Sequence, residues 1–111
     1  MRITFYQTAS GRIPVKEFIG SLSLQDQAKF WAVYRFIQDW GLDCPNVQFR
    51  QLKGKLWEIK FSSIGGGYRI AYVMIEKDLM VWLHAFKKKT QQTPMNDLDV
   101  ALKRMKEVLE P

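Results

Sequence analysis

Between Leu52 and Thr90 the chain passes through three apolar runs joined by connections of only a few residues, and this limits the folds open to it. The stretch reads Leu-Lys-Gly-Lys-Leu-Trp-Glu-Ile-Lys-Phe, then Ser-Ser-Ile-Gly-Gly-Gly, then Tyr-Arg-Ile-Ala-Tyr-Val-Met-Ile. A polar turn at Glu76, Lys77 and Asp78 leads into Leu-Met-Val-Trp-Leu-His-Ala-Phe-Lys-Lys-Lys-Thr. Runs of about eight residues rich in β-branched and aromatic side chains, bounded by turn chemistry, are strands. Neither connection is long enough for a parallel crossover, so the strands form an antiparallel meander. Most polar groups with chemical potential lie in or beside it: Lys53, Lys55, Glu58, Lys60, Arg69, His84 and the run Lys87, Lys88, Lys89.

The flanks read as supports. Arg2 to Gln7 alternates like a first strand, and Pro14 stands where a first helical residue would, with Val15, Phe18, Ile19 and Leu22 at helical spacing. Ser23 with Asp26 resembles a capping box, and Leu24 to Trp40 carries Phe30, Val33, Ile37 and Trp40 on one stripe, with Lys29 off it. These segments predict a helical hairpin covering one side of the sheet. Val47 to Leu52 reads as a short strand. Thr93 as cap and Pro94 at the first position open a last helix. Its apolar stripe is Leu98, Ala101, Leu102, Met105, Val108 and Leu109, with Lys103, Arg104 and Lys106 facing solvent. The order predicts one α+β domain over residues 1–111 with a single antiparallel sheet.

Side chains alternate along a strand, so Trp57, Ile59 and Phe61 face one way and Leu56, Glu58 and Lys60 the other. Arg69 is the one charge in the run from Tyr68 to Ile75, and such an arginine must reach an edge or an anion. The last strand is apolar on both faces apart from His84, which predicts a central strand covered by helices on one side. The four tryptophans, 31, 40, 57 and 82, read mostly as core.

Charge narrows the function. Seventeen Lys and Arg against 11 Asp and Glu give a net charge of +6, which suits a polyanionic partner. One cysteine, Cys44, excludes an internal disulfide, and a single histidine leaves no plausible zinc ligand set. The start of the chain lacks the apolar core of a signal peptide, and no run approaches the roughly 20 residues of a membrane span; the expected location is the cytoplasm.

These features together resemble a family. Leu52-Lys-Gly-Lys-Leu-Trp-Glu-Ile-Lys-Phe61, Gly67-Tyr-Arg-Ile-Ala-Tyr72 and Leu83-His-Ala-Phe-Lys-Lys-Lys-Thr-Gln-Gln-Thr-Pro94 look like the phage Gp49-like, HigB-type branch of the RelE superfamily of bacterial toxins. The resemblance spans nearly the whole chain. It implies a RelE-like, microbial-ribonuclease-like fold and cleavage of messenger RNA on the ribosome without cofactor or metal. It also implies neutralisation by a helix-turn-helix, HigA-like antitoxin, through which alone the toxin would meet operator DNA. By the same resemblance Arg69 stands against the scissile phosphate, and Lys60 and Lys88 fall at or near basic catalytic positions. Glu58 takes a position where RelE has lysine, and Pro94 stands roughly where RelE has a tyrosine.

The reaction sets its own demands. Cleaving RNA through its 2′-hydroxyl needs a base for that hydroxyl, cationic donors for the phosphorane and an acid for the leaving 5′-oxygen. Arg69 is the best donor, because a planar guanidinium grips two phosphate oxygens. Glu58 or His84 is the candidate base, and Lys60 or Lys88 the acid or second donor. Lys53, Lys55, Lys60 and Lys87 to Lys89 are expected near one end of the sheet as a phosphate-tracking patch, with Tyr68 stacking on a base. Each has a plainer reading: Glu58 with Lys60 as a cross-strand ion pair, His84 as a hydrogen-bonded structural residue, the lysine run as an edge guard. A non-catalytic nucleic-acid-binding or antitoxin-binding module is the alternative function.

Overall fold

The computed structural model describes residues 1–111. In chain order the elements are β1 (Arg2–Phe5), α1 (Pro14–Gly20), α2 (Leu24–Trp40), a single 3-10 turn at Gly41–Asp43, β2 (Gln48–Lys53), β3 (Leu56–Ser63), β4 (Gly66–Glu76), β5 (Leu79–Lys87) and α3 (Met95–Leu109). The fold is α+β, and the meander forms as the sequence predicts. The sheet, however, is mixed and not antiparallel: its order is β1-β5-β4-β3-β2, and β1 runs parallel to β5. The connection that carries α1 and α2 leads from β1 at one edge to β2 at the other, and β1 lies beside the most apolar strand. Arg2 pins that edge, with Nη2 2.6 Å from Glu76 and 2.9 Å from Asp78.

Two cores follow from alternation. Ile59, Phe61, Tyr68, Ile70, Tyr72, Met80 and Trp82 face α1 and α2 and pack with Val15, Ile19, Phe30, Val33 and Ile37. Leu56, Ala71, Val73, Val81 and Leu83 face the other way and meet α3 through Ala101, Leu98, Leu102 and Met105. Helices therefore cover both faces of β5, not one. Covering only one face would leave Val81 and Leu83 in water, and α3 is the element that removes them. Trp82 is fully buried, whereas Trp40 stays 61% exposed and Trp57 36% exposed, so two of the four tryptophans are not core. No helix is long and apolar enough to cross a membrane.

Ser23 caps α2 by accepting from the Asp26 backbone N–H at 3.2 Å, as the capping signature predicts. The Asp26 side chain does something the signature does not indicate. Buried between α2 and the β3–β4 turn, it accepts from Ser63 Oγ at 2.5 Å, Gly65 N at 3.1 Å and Tyr68 Oη at 2.5 Å. The hydroxyl of Ser63 holds its carboxyl below the ordinary carboxylate range, helped by Tyr68. Burial and the same bond push the Tyr68 phenol up to about 12.

Gly65 has no side chain because there is no space for one. A Cβ at that position would stand 2.0 Å from Asp26 Oδ2 and 3.0 Å from Tyr68 Oη. Gly65→Ala should therefore cost about 1–3 kcal/mol as an overpacked site. Gly20→Ala, which meets nothing within 4 Å at the end of α1, should leave the melting temperature unchanged or slightly raised. Equal melting temperatures for the two variants would refute the Asp26 clasp.

Candidate functional site

In a meander alternate turns lie at opposite ends of the sheet, and this separates the lysines expected in one patch. The β2–β3 turn with Lys53 and Lys55 shares an end with the β4–β5 turn. Lys87, Lys88 and Lys89 leave β5 at the other end, beside the β3–β4 turn. A strand of eight residues spans about 26 Å, so Lys53 and Lys55 are not part of one patch with the Lys87 to Lys89 run.

At the second end lies an open cleft of about 820 Å3, lined by Lys29, Asn46, Gln48, Lys60, Ser62 and Lys88 among others. Lys60 reaches it from β3, paired with Gln48 on β2 and Arg69 on β4. Lys88 reaches it from just beyond β5, where its N–H donates to Gly67 O at 2.8 Å. The Lys88 side chain lies across Gly67, close enough that a Cβ there would meet it at 3.3 Å. Lys29 arrives from α2, one turn beyond Asp26. The clasp at Asp26 thus fixes both the α2 wall and the turn opposite. Burial lowers the Lys60 pKa below the ordinary lysine value, and the charges of Arg50, Arg69 and Lys88 lower it further, while Glu58 opposes them. A lysine so placed exchanges a proton more readily than an ordinary one.

Arg69 is not at the surface of this cleft. It is fully buried, with Nη2 donating to the carbonyls of Thr90 and Gln91 at 2.7 Å each and Nη1 to Thr93 Oγ1 at 3.4 Å. Its neighbours along β4 on that face, Ala71 and Val73, are apolar, and the loop after β5 supplies the oxygens it needs, so the chain itself takes the place of an anion. Glu58 is fully buried too, and it is neither half of a surface pair with Lys60 nor an accessible base. Its Oε1 accepts from Thr93 Oγ1 at 2.9 Å. Its Oε2 stands 2.6 Å from Arg50 Nη2, off the hydrogen-bond direction, and 3.9 Å from Arg69 Nε. Thr93, expected as the cap of α3, turns inward to this carboxylate instead, and Pro94 takes the cap position.

His84 is hydrogen-bonded through both ring nitrogens. Its Nε2 lies 2.7 Å from Asp97 Oδ1, and Arg104 Nη1 lies 3.3 Å from Nδ1, so the neutral ring donates to Asp97 and accepts from Arg104. Arg104 also donates to Leu83 O at 3.0 Å, and so does not face solvent as the helical stripe suggests. Tyr68 is 2% exposed and committed to Asp26; its ring packs against Phe18, Phe30 and Phe61 and cannot stack on a base. Lys87 and Lys89 are exposed beside the cleft.

Burial pushes the His84 pKa below its ordinary 6.5, against the pull of Asp97. The unfolded chain then binds the proton that the folded one refuses, so stability falls as pH drops through 6.5. The melting temperature should decrease between about pH 7.5 and about pH 5.5, and His84→Gln should flatten that dependence. A His84→Gln profile parallel to wild type would rule this linkage out.

Sequence reasoning missed Asp26, Lys29, Arg50 and Thr93. Arg50 was discoverable, since period two puts it on the same face as Glu58 across the β2–β3 turn. Asp26 was not, because its partners are 37 to 42 residues away. No curated protein matches the chain. Residues 17–106 match the family model of phage-derived, Gp49-like proteins. That match runs from within α1 to within α3 and takes in every residue of the cleft, and the chain belongs to the phage-derived Gp49-like family, a toxin-like family of the RelE type.

Proposed function

We propose that this protein is the toxin of a type II toxin–antitoxin pair of the HigB kind, which stops translation by cutting messenger RNA on the ribosome. What supports this reading is the cleft that gathers Lys29, Lys60 and Lys88 in a chain of the Gp49-like family. In the reaction the 2′-oxygen attacks the adjacent phosphorus, the bond to the 5′-oxygen breaks, and a cyclic phosphate and a 5′-hydroxyl remain. Lys60, with its lowered pKa, is the group for proton transfer. Lys88 supplies charge to the phosphorane, which such a donor stabilises by about 10²- to 10³-fold in rate. Arg69 acts from behind: by fixing the carbonyls of Thr90 and Gln91 it holds the segment that follows Lys88.

Neither an accessible carboxylate nor a free imidazole stands in the cleft, since Glu58 and His84 are both engaged elsewhere. Chemistry with so few groups depends on how the RNA is held, and the ribosome is the proposed source of that orientation. A helix-turn-helix antitoxin is the proposed partner, and operator DNA is reached only through it. The same observation favours the second reading, a non-catalytic RNA-binding module. Tightly controlled expression in a bacterial host with mapping of messenger RNA 5′ ends separates the two. Growth arrest with new ends inside translated frames is expected; folded protein with normal growth would count against the nuclease.

A further inference from the structure

Beside the lysine cleft lies a second opening of about 600 Å3, lined by Arg50, Gln51, Thr90, Gln92 and Thr93 among others. The two adjoin across β2. Gln48 and Arg50 share a face of that strand, opposite Lys60 and Glu58 of β3 respectively. They are separated by about 7 Å along the strand, which is of the order of the spacing between successive phosphates of an extended RNA strand.

The charges around Lys60 do not cancel. Arg50, Arg69 and Lys88 act on it against the one carboxylate of Glu58, so with Lys60 itself three positive charges stand uncompensated. Arg69 cannot serve an external anion while the carbonyls of Thr90 and Gln91 occupy it. Arg50 can. Its side chain is 41% exposed, one nitrogen touches Glu58 at 2.6 Å, and the same nitrogen makes a long contact to Thr93 at 3.4 Å. A guanidinium has five N–H donors, and the others are left over. The carboxylate that aims it is fully buried and held by Thr93, so Arg50 projects from a fixed base.

We infer that Arg50 anchors a second phosphate of single-stranded RNA, the one flanking the phosphate held by Lys60 and Lys88. Glu58 is the positioning residue that aims it. This subsite rests on the RNA-cleaving reading above, and it extends the binding track from the cleft toward the start of α3.

The test is the salt dependence of binding to a fluorescent, fully 2′-O-methylated single-stranded RNA of mixed sequence, which the proposed reaction cannot cut. Each phosphate contact on a single strand contributes about 0.7 to the slope of log affinity against log salt. Arg50→Gln should lower that slope by about 0.7 and weaken binding about fourfold near physiological salt. Arg50→Lys should restore the slope. A purely structural Arg50 would shift the melting temperature and leave the slope alone. If Arg50→Gln does not fold, because Glu58 is left buried without its partner, Arg50→Gln/Glu58→Gln removes both charges and carries the same readout. Wild-type binding with a slope unchanged in the folded variant overturns the subsite alone. No salt-dependent binding by the wild type overturns the RNA reading and the subsite with it.

Discussion

Replacement of Arg69 by alanine is expected to destabilise the protein by about 3–5 kcal/mol, the usual result of removing one partner from a buried charge cluster. Arg69 is fully exposed to protein and not at all to water. Its loss strips the carbonyls of Thr90 and Gln91 of their donors and leaves Glu58 with Arg50 as its only cation. At about 4–8 °C for each kcal/mol in a domain of this size, the melting temperature should fall by more than about 10 °C. Arg69→Lys should recover little, because one ammonium cannot reach the Thr90 and Gln91 carbonyls met by Nη2, the Thr93 hydroxyl met by Nη1 and the side of Glu58 near Nε all at once. Loss of toxicity in Arg69→Ala is therefore expected to come with loss of folded protein. A variant that keeps the wild-type melting temperature and yet loses all cleavage would overturn this and return Arg69 to the scissile phosphate.

The meander was legible because alternation and turn residues are local, and β3, β4 and β5 fall where the apolar runs lie. Alternation also assigns Arg69 and Glu58 to the same face of the sheet. It does not reveal that α3 closes over this face, because covering it depends on how a helix some 20 residues further on docks. Once it is covered, an arginine expected to seek a phosphate finds backbone oxygens from the loop after β5. His84 follows the same logic: its partners Asp97 and Arg104 are both supplied by α3. Three of the five candidate catalytic residues are thus internal, and the two that remain at the cleft are the lysines, whose long stems reach the edge of the covered face.

The parallel placing of β1 was hidden for a related reason. A meander fixes which consecutive strands pair, but says nothing of where a strand that precedes two helices will sit. The slot beside β5 is settled by packing: Phe5 stands edge-on to Trp82 at 5.5 Å and stacks on Tyr34 at 5.7 Å. The same three-dimensional closure creates the cleft. Lys29 reads as a solvated residue on the polar side of α2, and only the clasp of Asp26 on the β3–β4 turn brings it opposite Lys60 and Lys88.

Lys60→Gln is where stability and activity should part. Lys60 makes no ion pair and lies only partly buried within β3, so the substitution should change stability by no more than about 0.5 kcal/mol. Cleavage should nevertheless fall by about 10²- to 10⁴-fold, the range for a lost proton-transfer group. Lys60→Arg separates two ways of losing activity. Arginine keeps the positive charge and the hydrogen bonds to phosphate, but it does not give up a proton near neutral pH. If Lys60 only stabilises charge, Lys60→Arg should keep most of the rate. If it transfers a proton, arginine should fail almost as badly as glutamine, and the wild-type rate should bend with pH where the lowered lysine value lies. A rise through that value identifies a base and a fall identifies an acid, because a base must be unprotonated to act and an acid protonated. Single-turnover cleavage on programmed ribosomes across pH reads this directly. A flat profile with an active Lys60→Arg variant would leave Lys60 as a phosphate-binding residue and move proton transfer to the ribosome itself.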